Sequence, residues 1–97
     1  MVWDDPIRQA FEQIAKDLKC QVKQTNGGCI FNYSKKEFYF SFFMNSNPND
    51  TFKMVYDKDY VSRKSIGKST KIGDYKINDK DLDKMKKEMI VIIVDNK

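Results

Sequence analysis

The residues that could do chemistry are few, and each candidate lacks part of what its chemistry needs. Ile66-Gly67-Lys68-Ser69-Thr70 carries the Gly-Lys-Ser ending of a phosphate-binding loop. Such a loop needs a glycine five residues before the Gly-Lys pair, so that backbone N–H groups can close on phosphate, and a helix must follow. Ser62 holds that position, and the residues after Thr70 pattern as a strand. Asp79, Asp81 and Asp83 have the spacing that opens a calcium loop. The loop also requires glycine at its sixth position and glutamate at its twelfth, where this chain has Lys84 and Ile90. The three aspartates are better explained as negative charge at the positive end of a helix.

The chain contains no histidine, which removes imidazole acid–base catalysis and imidazole metal ligation. Two cysteines, Cys20 and Cys29, cannot close a zinc site by themselves. They flank Asn26-Gly27-Gly28, a hairpin turn signal. A turn at Asn26-Gly27 sets Cys29 opposite Gln24, and one at Gly27-Gly28 sets it opposite Asn26. Neither register brings the cysteines together as a disulfide requires, so both are expected to be free thiols. Asp57 and Asp59 lie in a polar stretch where nothing raises a carboxyl pKa. No catalytic residue, cofactor site or metal site is expected, and the protein reads as a non-enzyme.

Two features point instead to binding. Residues 1–50 carry six basic and six acidic side chains, whereas residues 51–97 carry twelve and eight. The excess sits at Lys58, Arg63, Lys64, Lys68 and Lys71, opposed only by Asp59 and interspersed with Ser62, Ser65, Gly67, Ser69 and Thr70. Such a basic stretch can follow a phosphate backbone through side chains and N–H groups. The second feature is a sheet face. With period-2 alternation, Ile30, Asn32, Tyr39, Ser41, Phe43, Lys53 and Val55 share one side. The solvent side of an antiparallel sheet is usually polar, and this one is half apolar. It suits a dimer seam, a protein partner, or a stacking platform for single-stranded nucleic acid. The alternative is that the basic stretch or the C-terminal segment folds over it.

The elements that must position these residues follow from periodicity and breakers. Asp5 can cap a first helix and Pro6 fits its first position. Ile7, Phe11, Ile14 and Leu18 then form one stripe. Strands are expected at Cys20–Thr25, Cys29–Ser34, Glu37–Met44, Thr51–Tyr56 and, more weakly, Lys71–Ile77. The polar connections are Ser34-Lys35-Lys36, Asn45–Asp50 and Asp57–Thr70. One sheet side collects Cys29, Phe31, Tyr33, Phe38, Phe40, Phe42, Met44, Phe52, Met54 and Tyr56, the core side. Asn78 caps a last helix, with Asp81 placed for a capping box and Ile77 and Leu82 for a hydrophobic staple. Its stripe is Leu82, Met85, Met89, Ile92 and Ile93. Ile90–Val94 is β-branched throughout and also suits a strand. No Gly, Pro or Asn separates it from the helix, so one helix to about Val94 is expected.

The 97 residues fit one domain, 40% hydrophobic and 33% charged, with net charge +4. No apolar run approaches the length that spans a membrane, and Asp4 and Asp5 argue against a signal peptide. Abundant Lys, Asn, Ile, Phe and Tyr, with scarce Ala, point to an AT-rich bacterial or phage genome. The expected fold is α+β: an N-terminal helix, an antiparallel meander of four or five strands, and a C-terminal helix, both helices on one sheet face. The expected function is a cytoplasmic nucleic-acid-binding accessory protein of a plasmid or phage. Lys58, Arg63, Lys64, Lys68 and Lys71 would contact phosphates, and Tyr39, Phe43 and Lys53 would form the platform. The alternative is a protein-binding inhibitor of a host protein, of the anti-defence or toxin-immunity type. It would use the same half-apolar face, with a homodimer possible.

Overall fold

The computed structural model describes residues 5–45, 51–57, 60–61, 64–65 and 69–96. The elements are α1 (Asp5–Leu18), β1 (Gln21–Thr25), β2 (Gly28–Tyr33), β3 (Lys36–Met44), β4 (Thr51–Asp57), β5 (Tyr60–Val61), β6 (Lys64–Ser65), β7 (Ser69–Lys76) and α2 (Asp79–Asp95). Strands β1, β2, β3, β4 and β7 form an antiparallel meander in that order, and β5 and β6 pair separately between its last two strands. The helices pack on one face of the sheet, α1 beside β1 and β2, α2 beside β7, and the two helices against each other. The α+β expectation therefore holds, with five strands. The stretch 57–70, read as a polar connection, differs. It contains the short β5–β6 ladder, and β7 begins at Ser69, ahead of Lys71.

Alternation places the core where the strand pattern put it. Phe31, Phe38, Phe40, Phe42, Phe52 and Met54 point at the helices and are buried, against Ile7, Phe11 and Ile14 of α1 and Met85, Met89 and Ile93 of α2. The rings interlock at their edges. Phe31 meets Phe11 and Phe40 in T-shaped contacts at 6.4 and 5.7 Å, and Tyr56 lies 5.2 Å from Phe40. Met44 departs from the expected pattern. It is the last residue of β3 and is 42% exposed.

Local signals set the element ends. The first hairpin turns at Asn26-Gly27, because Thr25 pairs with Gly28, and Cys29 faces Gln24. The positive φ expected of this turn is absent there. It occurs in the next hairpin, where Ser34 and Lys35 have φ of 55° and 64°. Helix α1 ends in a Schellman arrangement: the Cys20 N–H donates to Ala15 O and the Lys19 N–H to Lys16 O, with Lys19 at φ 54°. The Arg8 guanidinium ties α1 to the first hairpin by donating to Gln24 Oε1 at 3.0 Å and Asn26 O at 3.1 Å. At α2, Asn78 Oδ1 accepts the Asp81 N–H at 2.7 Å, as a cap should. The Asp81 carboxylate does not close the expected capping box and accepts the Lys76 N–H at 2.8 Å. The β-branched run is helical to Asp95. Burial of Met89 and Ile93 outweighs strand propensities that amount to only a few tenths of a kcal/mol per residue.

Candidate binding face of the sheet

The face opposite the helices is ordered by the strand register. Phe43 on β3 pairs with Lys53 on β4, which pairs with Asp74 on β7, giving one row across three strands. The next row is Ser41, Val55 and Lys71. Tyr39 lies beside Ile30 of β2. A register shift follows Met54 on β4, where Gly73 pairs with Met54 and Lys71 with Val55. Ile72 is the extra residue and packs against the core. The bulge explains how Lys71 and Asp74, three residues apart, come to share the outer face.

Side-chain chemistry divides this face in two. At one end Phe43 is 52% exposed, and the Lys53 ammonium stands 5.3 Å from its ring centroid, a cation–π arrangement. Met44 adjoins it in sequence and is also exposed. Toward the middle the face closes. Val55 and Asp57 are buried, and Asp57 accepts a 2.9 Å bond from the Ser41 hydroxyl. The Tyr39 hydroxyl donates to Glu37 at 3.1 Å, which fixes a carboxylate beside that ring.

Lys71 forms a 2.6 Å ion pair with Asp74. Asp74 also accepts from the Asn45 amide at 3.1 Å, and these two bonds hold its carboxyl below the usual carboxylate range. Asn45 bonds Thr51 at 2.9 Å as well, joining the end of β3 to the start of β4.

Of the residues singled out from the sequence, Tyr39, Phe43, Lys53 and Lys71 lie on this one face. Phe43 and Lys53 meet, an exposed ring beside a partly buried lysine. Lys71 is turned into its bond with Asp74. Lys64 is a backbone position of β6, and Lys58, Arg63 and Lys68 lie outside the described residues. The C-terminal segment does not cover the face, since α2 contributes Met85, Met89 and Ile93 to the core on the other side. Sequence reasoning missed the carboxylates Glu37, Asp57 and Asp74, whose placement follows from strand pairing. It also missed the exposure of Met44.

Among the described residues no cluster of three His, Cys, Asp or Glu side chains could hold a metal ion, and no helix is long and apolar enough to cross a membrane. Both cysteines are free. Burial pushes the Cys29 thiol well above its ordinary pKa, and that of Cys20 less so. Neither has the lowered pKa of a nucleophilic thiol. The Tyr75 phenol is likewise pushed up, by burial and then by the Glu88 carboxylate beside it. Compared with known proteins, the chain matches no family model, and no curated protein or solved structure is significantly similar to it.

Proposed function

We propose that the protein is a non-enzymatic binding module whose outer sheet face docks a protein partner, in the manner of a small cytoplasmic inhibitor of phage or plasmid origin. The supporting observation is the Phe43–Lys53 pair, a half-exposed ring with an ammonium 5.3 Å from its centre. Such a pair offers an apolar contact and a charge side by side. A partner fits it by placing an apolar side chain on Phe43 and a carboxylate near Lys53. Glu37, Asp57 and Asp74 share the face, which makes it a poorer match for a polyanion than the count of lysines suggests. The free thiols Cys20 and Cys29 suit a reducing compartment.

A second reading keeps the same pair. An aromatic ring beside a cation can also stack a base and neutralise its phosphate. In this reading Lys58, Arg63, Lys64 and Lys68 are the sequence positions that would contact further phosphates. One experiment separates the two. Wild-type protein and Phe43→Asp serve as baits in a bacterial host lysate, with and without nuclease. A stoichiometric protein captured by the wild type, lost with Phe43→Asp and resistant to nuclease is the expected result. A catch that nuclease removes favours nucleic acid, and equal capture by both baits would end the assignment of this face.

A further inference from the structure

We propose that the protein forms a two-fold symmetric dimer in which the exposed face of α2 packs antiparallel against the same face of a second copy, centred on Val91. Met89 to Val94 is a run of six apolar residues in the last turns of α2. The core buries Met89 and Ile93 fully, and Ile90 and Ile92 pack against it. Ile90, Ile92 and Val94 are partly covered, and Val91 is 57% exposed. At 100° per residue Val91 points directly away from the Met85–Met89–Ile93 stripe. Ile92 and Val91 continue, with Ile72, into a shallow groove of about 440 Å³ between α2 and β7. Val91 therefore carries the apolar surface of this groove out onto the exposed face of α2. An isolated exposed apolar residue is ordinary, but one continuous with an apolar groove marks a surface that a partner can cover. Moreover, a β-branched residue lowers helix propensity, so water alone gives no reason for a valine at this position.

The charges beside Val91 identify the occupant. Lys87, Val91 and Asp95 follow at i, i+4 and i+8, so they line one face, and all three are exposed. The face reads basic, apolar, acidic. A two-fold axis through Val91 sets each Val91 against its mate and puts Lys87 of each copy opposite Asp95 of the other. This is the self-complementarity that a closed dimer requires. The parallel arrangement would oppose Lys87 to Lys87 and Asp95 to Asp95. Within one copy and among the described residues, Lys87 pairs with Asp83 at 3.8 Å with its side chain 79% exposed, so little holds it from a partner. Because α2 lies on the core side of the sheet, the Phe43 face stays open in both copies, and the inference is independent of the proposed function.

Sedimentation equilibrium on the full chain, from about 10 μM to about 1 mM at low salt, tests it across the range of weak association. The expected result is an average mass rising from monomer toward dimer. Val91→Asp, at a position the core does not use, should remain monomeric with an unchanged circular dichroism spectrum. Lys87→Glu and Asp95→Lys should each weaken association by roughly tenfold, since symmetry counts every repulsion twice. Their combination should restore it. A monomer throughout the range, association indifferent to Val91→Asp, or failure of the double variant to recover would each overturn the proposal.

Discussion

The two adjacent glycines of the first hairpin carry opposite constraints. A Cβ on Gly28 would overlap the Phe40 carbonyl oxygen and lie 2.8 Å from Ser41 Cα, both backbone atoms of β3 that cannot swing aside. A Cβ on Gly27 would meet nothing within 4 Å, and the residue has no positive φ to protect. Gly28→Ala should therefore lower stability by about 2–3 kcal/mol, the upper part of the range for an overfilled site. Gly27→Ala should leave it unchanged or raise it by up to ~1 kcal/mol through the unfolded chain. Urea denaturation of the two variants checks both. An equal loss in both would mean that the turn, and not the close approach of β2 to β3, is what needs glycine. The sequence marked Asn26-Gly27 as the turn but could not tell which glycine is indispensable. That depends on a strand ten and more residues away.

The helix ends offer a matched pair of tests at the next scale. Lys19 occupies the left-handed position that closes α1, a conformation costing a side chain about 1–2 kcal/mol. Lys19→Gly removes that strain while adding unfolded-state freedom, and a net gain of roughly 0.5 kcal/mol is expected. At α2, Asn78→Ala deprives the Asp81 N–H of its acceptor and should cost about 1 kcal/mol. Thermal unfolding followed by circular dichroism measures each change, and opposite signs are the expected outcome. The Asn78 cap could be read from residues alone because a cap acts over three positions. Its second half could not: Asp81 reaches Lys76 instead, because β7 delivers an open N–H within reach.

Over the whole molecule, the 18 basic side chains overstate the cations free to meet a polyanion, since 14 carboxylates oppose them. Lys71 is paired with Asp74, and Lys53 stands over Phe43. Oligonucleotide binding, if measured by fluorescence titration, should accordingly be weak and salt-sensitive. Each neutralised phosphate contributes about −0.7 to the log–log slope on single strands and about −0.9 on duplex DNA, so a few engaged basic residues give a slope of roughly −2 to −4. Phe43→Asp should weaken single-strand binding without affecting stability beyond ~0.5 kcal/mol, as for other exposed positions. Phe40→Ala, on the opposite side of the same strand, should cost ~3–5 kcal/mol. A dissociation constant well below ~100 μM at physiological salt, the weak end of non-specific binding, would favour nucleic acid over a protein partner.

The α1 stripe, the five main strands, the core side of the sheet and the helical end of the chain are all legible in the order of residues. These follow from periods of 3.6 and 2 that the backbone imposes over a few residues. Tertiary structure alone decided the rest. Met44 is exposed although its cross-strand partner Phe52 is buried, and Asp57 is buried on the outer face, where it accepts the Ser41 hydroxyl. Ile72 turns to the core because a bulge opposite Met54 and Val55 shifts the register, which also brings Lys71 and Asp74 to one face. Lysines that look equivalent in the sequence differ here, Lys53 beside an exposed ring and Lys71 held by a carboxylate. Periodicity states which side a residue takes. Only the arrangement of neighbouring strands and helices states what it meets there and how much water remains.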